Sequence, residues 1–384
     1  MTSQETLEAA HRHFQRGQLA EAEAIWRRLL DQQPQNPLAL HMLGVIAYRN
    51  GQNQQAEDLI RRAIALKPDS AEFHINLGSA LTRLERIDDA IAAYRKAISL
   101  EAAYPEAHYN LGHALRKKGQ VNEAIAEYRQ ALTLRPDYVN AFVNLGHALL
   151  EANRPDDALA AYRKALAIRP DAETHYNIGR TLYQKRKLNE AIASYQEALK
   201  MAPHSWPVLS SLGRTLLDRG RLDDAVAMYA RAADHWPDRA EAHFNLGTAL
   251  HAQYRMDEAI AAYEKAVQLR PRYTEALTNL GVVLKEVGRF DEADSYYRRA
   301  LDADGNNVIA ASNLVYMHQF HADFTPKMIY DALRDWNRRH AAPLAHLIRP
   351  HDNDRSAARR LRIGYVSGDL KQHVVGANLL PILR

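Results

Sequence analysis

A glycine returns along this chain at an almost constant interval. Gly44, Gly78, Gly112 and Gly146 stand 34 residues apart, Gly179 follows after 33, and Gly213, Gly247 and Gly281 resume the spacing of 34. A period of this length marks a solenoid whose unit is a helical hairpin, because one hairpin cannot bury its own apolar faces and a stack can. The period constrains the fold more than the length does. A chain of 384 residues suggests two or three domains, whereas a solenoid is one continuous object.

The residues inside the period explain why the unit is two helices. In the unit at 71–104, His74, Leu77, Leu81 and Leu84 recur at helical spacing and predict a first helix. After Arg86 the pattern restarts, with Ile87, Ala90, Ile91, Tyr94, Ala97 and Ile98 marking a second. Gly78 and Ala90 are small where the two axes must approach closely. Ala97 plays the same part against the following unit, and the aromatic body of Tyr94 fills the remaining volume. A proline closes most units (Pro34, Pro68, Pro136, Pro170, Pro203, Pro237 and Pro271). Lacking a backbone donor, it ends one helix and lets the next begin.

This pattern resembles the tetratricopeptide repeat. Its small, Ala, Tyr, Ala and Pro positions are filled by Gly146, Ala158, Tyr162, Ala165 and Pro170 in one unit, and by Gly247, Ala259, Tyr263, Ala266 and Pro271 in another. The resemblance implies an all-α, right-handed superhelix with units at 3–36, 37–70, 71–104, 105–138, 139–171, 172–205, 206–239, 240–273 and 274–307. A worn unit at 308–341 keeps Asn313-Leu314 but has Val315 for Gly and Lys327 for Ala. The first unit has Ala10 for Gly and Trp26 for Tyr, as suits a terminal cap. The array is expected over 1–341.

Composition narrows the function classes. Hydrophobic residues at 47% and charged residues at 25% describe an ordinary soluble chain. Fifty basic residues nearly balance 46 acidic ones, a formal net charge of +4, which argues against a dedicated nucleic-acid binder. Without cysteine there is no disulfide, thiol nucleophile or thiolate metal site. The polar start MTSQETLEAAHRH carries no signal-like apolar segment, and no run approaches the ~20 apolar residues of a membrane span. The expectation is a cytoplasmic protein with no membrane and no nucleic-acid partner.

First helices of such a stack line its concave face. Their second, sixth, ninth and thirteenth positions point away from the buried contacts, as with Glu106, Asn110, His113 and Lys117. The sixth holds Asn76, Asn110, Asn144, Asn177, Asn245, Asn279 and Asn313, interrupted by Met42 and Ser211. Asparagine is a mediocre helix former, but its amide both donates and accepts. A ladder of these amides suits the main chain of an extended polypeptide in the groove; the alternative is that each bonds the neighbouring repeat and stiffens the stack. His74, His108, His175 and His243, all at the fourth position, read as packing residues one unit apart, not metal ligands. His11 with His13, and His318 with His321, read as surface pairs. The residues name no metal and no cofactor-binding position.

Near Asp323 the period fails. MIYDALRDWNRRHAAPLAHLI still reads as helix, with Ile329, Leu333 and Trp336 on one face. A linker over 342–360 follows, whose Arg355, Arg359 and Arg360, with Arg362 just beyond, read as solvated side chains before phosphate contacts. From Leu361 to Ser367 the residues predict a strand, running through Gly368-Asp369 into a helix. This opening of an α/β domain is expected to be the first piece, 361–384, of a truncated Rossmann-like domain, since a lone strand leaves its backbone groups unpaired.

RRLRIGYVSGDLKQH, preceded by HAAPLAHLIRPHDNDR, resembles the junction between repeats and catalytic region in O-linked N-acetylglucosamine transferases and SPINDLY-like glycosyltransferases. The resemblance implies a protein O-glycosyltransferase using UDP-GlcNAc as donor (a GDP-sugar in some relatives), with an asparagine-lined superhelix holding the acceptor polypeptide. It places His373 at the active site, although Leu370 and Val374 stand where Phe and Pro are common. The family's nucleotide-binding residues have no counterpart in this sequence, so no donor cofactor and no turnover are expected of this chain. Two readings stand: the polypeptide-binding arm of such an enzyme, or a stand-alone adaptor for protein–protein interaction. The sequence leaves open whether two superhelices form a homodimer.

Overall fold

The computed structural model describes residues 3–320 and 323–347. Helices follow one another in hairpins: α1 (Ser3–Gln15) with α2 (Leu19–Gln32), α3 (Pro37–Arg49) with α4 (Asn53–Leu66), and α5 (Ala71–Arg83) with α6 (Ile87–Leu100). Next come α7 (Pro105–Lys117) with α8 (Val121–Leu134), α9 (Val139–Glu151) with α10 (Pro155–Ile168), and α11 (Ala172–Gln184) with α12 (Leu188–Met201). The last three are α13 (Trp206–Asp218) with α14 (Leu222–His235), α15 (Ala240–Ala252) with α16 (Met256–Leu269), and α17 (Thr274–Glu286) with α18 (Phe290–Ala303). Each helix packs on its hairpin partner and then on the next hairpin, which makes a solenoid of two-helix units as the period requires.

Two rows of alanine set the spacing. Ala90, Ala124, Ala158, Ala191 and Ala225 on the second helices are fully buried, as are Ala97, Ala131, Ala165, Ala198 and Ala232 one stripe further on. From the unit at 71–104 onward a tyrosine lies on the glycine of the first helix, and in the unit at 37–70 Ile60 takes that place against Gly44. A Cβ built on Gly78 would stand 2.6 Å from Tyr94 Cε1, and one on Gly213 would stand 2.6 Å from Tyr229 Cζ. The glycine is therefore required by the ring, more than by the approach of two backbones. Trp26 takes the ring's place in the first hairpin and is also fully buried.

Every hairpin turns through a residue of left-handed conformation at its fifteenth position. Glycine serves at Gly17, Gly51, Gly119, Gly220 and Gly288, but Glu85 (φ 58°), Asn153 (55°), Arg186 (60°) and Tyr254 (61°) adopt the same conformation with a side chain. Helix starts are fixed locally. The Asn36 and Asp171 side chains accept from the backbone N–H groups of Ala39 and Thr174, at 3.0 and 2.8 Å, satisfying donors the helix leaves open.

The chain divides into two compact units, the hairpins up to Ala303 and the remainder from Asp304. In the second, α19 (Val308–Met317) and α20 (Pro326–Trp336) are followed by a π turn, Asn337–Ala341, and a 3₁₀ stretch, Ala342–Leu347. The helix expected through this region is thus broken after Trp336. The Trp336 indole N–H donates to Ser312 Oγ at 3.1 Å and ties α20 to α19. His318 corrects the surface reading of its pair: it is buried, and its ring stacks on Phe324 at 3.7 Å. No strand occurs among the described residues. The expected strand, His373 and most of the 342–360 linker lie outside them.

Candidate polypeptide-binding face

The asparagines stand on one face of successive first helices, and the structure shows what their amides touch. Asn76 Nδ2 donates to His41 Nε2 at 2.8 Å, Asn144 Nδ2 to Tyr109 Oη at 3.1 Å, and Asn245 Nδ2 to Ser210 Oγ at 3.4 Å. In all three the partner lies 35 residues back, at the fifth position of the preceding unit. Side chains lean toward the N-terminus of their helix, so an amide at the sixth position reaches the level of the fifth position on the helix before it.

The rule also accounts for the exceptions. Where the fifth position cannot accept a hydrogen bond, the amide goes elsewhere or bonds nothing. Ile75 precedes Asn110, whose carboxamide has no hydrogen bond among the described residues and is half-buried. Phe244 precedes Asn279, which turns to Tyr263 Oη at 3.4 Å on the second helix of the preceding unit. Val143 precedes Asn177, which bonds His147 Nε2 at 3.2 Å and is buried. That burial corrects the expectation that Asn177 points away from the packed interior. Its unit starts one residue early after the shortened 139–171 repeat. Asn313 is half-buried on α19, in the second compact unit.

Committing the amide nitrogen leaves the carbonyl oxygen. Asn144 Nδ2 is held by both Tyr109 and its own turn's carbonyl at Asn140, 3.0 Å away. Its Oδ1 is then an acceptor with no donor among the described residues. The ladder keeps its carbonyl oxygens as acceptors, and at Asn110 the whole carboxamide, donors and acceptor together, is without an internal bond.

A second row repeats the offset of 35 two turns further along. Tyr183 donates to Asp218 at 2.6 Å, His251 bonds Glu286 at 2.8 Å, and Arg116 lies 3.5 Å from Glu151. A third, at the hairpin turns, joins Lys118 to Asp88 at 2.6 Å, Arg219 to Asn189 at 2.9 Å and Gln253 to Asp223 at 2.7 Å. The period of 34 does not display these pairs; compatible polar residues 35 apart signal the second row, and 30 apart the third.

The histidines are structural. His74 and His243 donate from Nε2 to the carbonyls of Pro68 and Pro237, at 3.1 and 2.8 Å, and fasten each helix start to the closing proline. His108 does the same to Ala102 at 3.1 Å and bonds Glu127 at 2.6 Å. His41 is fully buried, and burial lowers its pKa to about 4, so it is neutral at pH 7 and accepts from Asn76. Burial likewise lowers His113 and His147, helped by the nearby Arg116. Glu57, buried on α4, is chelated by Arg86 at 2.8 and 2.9 Å and by Arg61 at 2.8 Å. No group of three His, Cys, Asp or Glu among the described residues could hold a metal ion, and no helix there is long and apolar enough to cross a membrane.

Comparison with known proteins agrees with this architecture. A family model described as Tetratricopeptide repeat matches residues 7–71, 41–108, 143–205 and 210–274. Further tetratricopeptide models match 93–126, 112–153 and 250–315. No curated protein matches the chain. Among solved structures, PilW, a widely conserved type IV pilus biogenesis factor, is 24% identical over 55% of this chain and 99% of its own, with a TM-score of 0.51. MamA is 26% identical over 41% of this chain and 93% of its own, at 0.39. A MamA from Desulfovibrio magneticus RS-1 is 20% identical over 44% and 96%, at 0.42. With more than half of its residues matched by the repeat model, this chain belongs to the tetratricopeptide repeat family.

Proposed function

We propose that this chain is a protein-interaction scaffold that holds an extended polypeptide along its first-helix face. Tetratricopeptide proteins generally bind partner proteins or peptides. The single observation that carries the reading is Asn110, whose carboxamide shares the asparagine stripe yet bonds nothing within the described protein. First helices of neighbouring units touch, as α5 with α7 and α7 with α9. Packed helices lie about 8–10 Å apart, close to three residues of extended chain. Acceptors at that interval match every third N–H of a chain extended in the three-residue turn of polyproline II, ~3.1 Å per residue, with little regard to its side chains.

The test separates binding from stiffening. Asn110→Ala removes no internal hydrogen bond, so its urea midpoint should stay that of the parent chain. Its affinity for fluorescein-labelled, permanently unfolded polypeptide should fall about fivefold, the worth of one hydrogen bond. Asn144→Ala should lose both stability and affinity. Unchanged affinity in both variants, with helicity intact, would leave the ladder a structural device only.

A second reading is favoured by the segment from Leu361 to His373, which resembles the catalytic junction of protein O-linked N-acetylglucosamine transferases. Under it the captured polypeptide is also an acceptor. Polypeptides recovered on the chain would then carry O-linked sugar on Ser or Thr, which mass spectrometry detects. Recovered partners without sugar favour the scaffold alone.

A further inference from the structure

The asparagine stripe lapses at Ser211, on α13. Beside it opens a cavity of about 220 Å³ whose lining includes Arg180, Tyr183, Tyr195, Arg214 and Thr215. Arg180 and Arg214 occupy the ninth positions of successive first helices, α11 and α13, and both are exposed. The Arg180 guanidinium lies 5.7 Å from the centre of the Tyr176 ring, and that of Arg214 lies 5.9 Å from the centre of Tyr183. Neither forms an ion pair with a carboxylate among the described residues. The acid on the same helix, Asp218, already accepts from Tyr183 at 2.6 Å and lies 3.9 Å from Arg186.

The arginines at the starts of the second helices differ. Arg86, Arg154, Arg221, Arg255 and Arg289 each pair with an acid three residues on. Two guanidinium groups facing one recess without a counter-charge repel each other, and an anion entering between them removes that repulsion. The walls suit a planar group: the rings of Tyr176 and Tyr183 lie beside the two guanidiniums, and a guanidinium fork matches the two oxygens of a carboxylate. The missing amide at Ser211 leaves room for a side chain to turn inward from the extended chain.

We propose that Arg180 and Arg214 form a pocket for an acidic side chain, a Glu or Asp of the extended polypeptide held on this face. The pocket rests on the polypeptide-holding reading above, and it makes the scaffold selective at one point of an otherwise sequence-tolerant groove.

The test uses fluorescence anisotropy with the full chain and three labelled 15-residue peptides of Ala, Ser and Thr. Their three central residues are Glu, Gln or phosphoserine. The Glu peptide should bind about tenfold tighter than the Gln peptide, as charge-assisted hydrogen bonds require. The preference should vanish in Arg180→Gln/Arg214→Gln and survive in Arg180→Lys/Arg214→Lys, while the Gln peptide moves less than about twofold in either. Circular dichroism checks that both variants keep their helicity. Equal binding of Glu and Gln peptides to the parent chain overturns the pocket and leaves the groove standing. A phosphoserine peptide that binds where the Glu peptide does not overturns the carboxylate assignment. Absence of binding by all three overturns the groove and the pocket together.

Discussion

The Tyr94 ring rests directly on Gly78, sixteen residues before it, so closely that a Cβ at Gly78 would lie 2.6 Å from Cε1 and 2.7 Å from Cζ. Alanine at this site gains helix propensity but must displace a ring that is buried on every side. Gly78→Ala should destabilise by about 1–3 kcal/mol, the usual cost of overpacking. Gly112→Ala should cost less, because its contacts with Tyr128 begin at 3.0 Å. Urea midpoints of the two variants check the order.

The tyrosines divide by what their hydroxyls meet. Tyr94 Oη lies 3.3 Å from Ser79 Oγ and 3.4 Å from Thr82 Oγ1, whereas Tyr128 and Tyr162 bury their hydroxyls without a partner. Burial pushes all three phenols up. Tyr162→Phe removes a desolvated, unbonded group and should be neutral or stabilising by about 1 kcal/mol, while Tyr94→Phe should cost about 0.5–1.5 kcal/mol. Thermal unfolding of both variants reads the opposite signs.

Tyr254 is 82% exposed and holds φ 61° at a hairpin turn, so its ring contributes little packing while its backbone is strained. Tyr254→Gly should stabilise by about 1 kcal/mol, the usual excess of a side chain in the left-handed region. Gly119→Ala, at φ 83°, should destabilise by a similar amount. Differential scanning calorimetry resolves shifts of this size.

His41 links stability to pH. Its pKa is lowered to about 4 in the folded chain from 6.5, because burial penalises the charged ring. A depressed pKa means the unfolded chain binds the proton more readily, so the stabilisation is complete above pH 6.5 and is lost as pH falls toward 4. The loss should reach at most about 3 kcal/mol, and His41→Gln should flatten that part of the profile. Urea unfolding at pH 7 and 4.5 checks it. The slope that remains includes His113 and His147, which burial also lowers, and carboxylates such as Glu57, held low by its arginine partners.

Much of the architecture was legible because it depends on residue size at fixed intervals. Gly146, Ala158, Tyr162 and Ala165 place a hairpin before any contact is seen, and α9 and α10 lie where those residues require. What escaped depends on reach. The partner of Asn144 is Tyr109, one position beyond the repeat, because amides lean back along their helix. Asn177 shares the sixth position of its neighbours, but Val143 stands at the fifth position of the helix before it where an acceptor would be needed, and the amide turns inward to His147. His318 resembled a surface residue for want of an acidic neighbour, but a stacked Phe324 buries it.

The shortened repeat has a consequence for how the array yields. Between α10 and α11 the hairpins share the thinnest junction within α1–α18, and the amide that crosses it reaches His147 on α9 rather than the fifth position of that helix. A linear stack has no distant contacts to reinforce a weak joint. Under tension or heat the rod should part there first, leaving two sturdier arms whose amide protons exchange with solvent at separate rates.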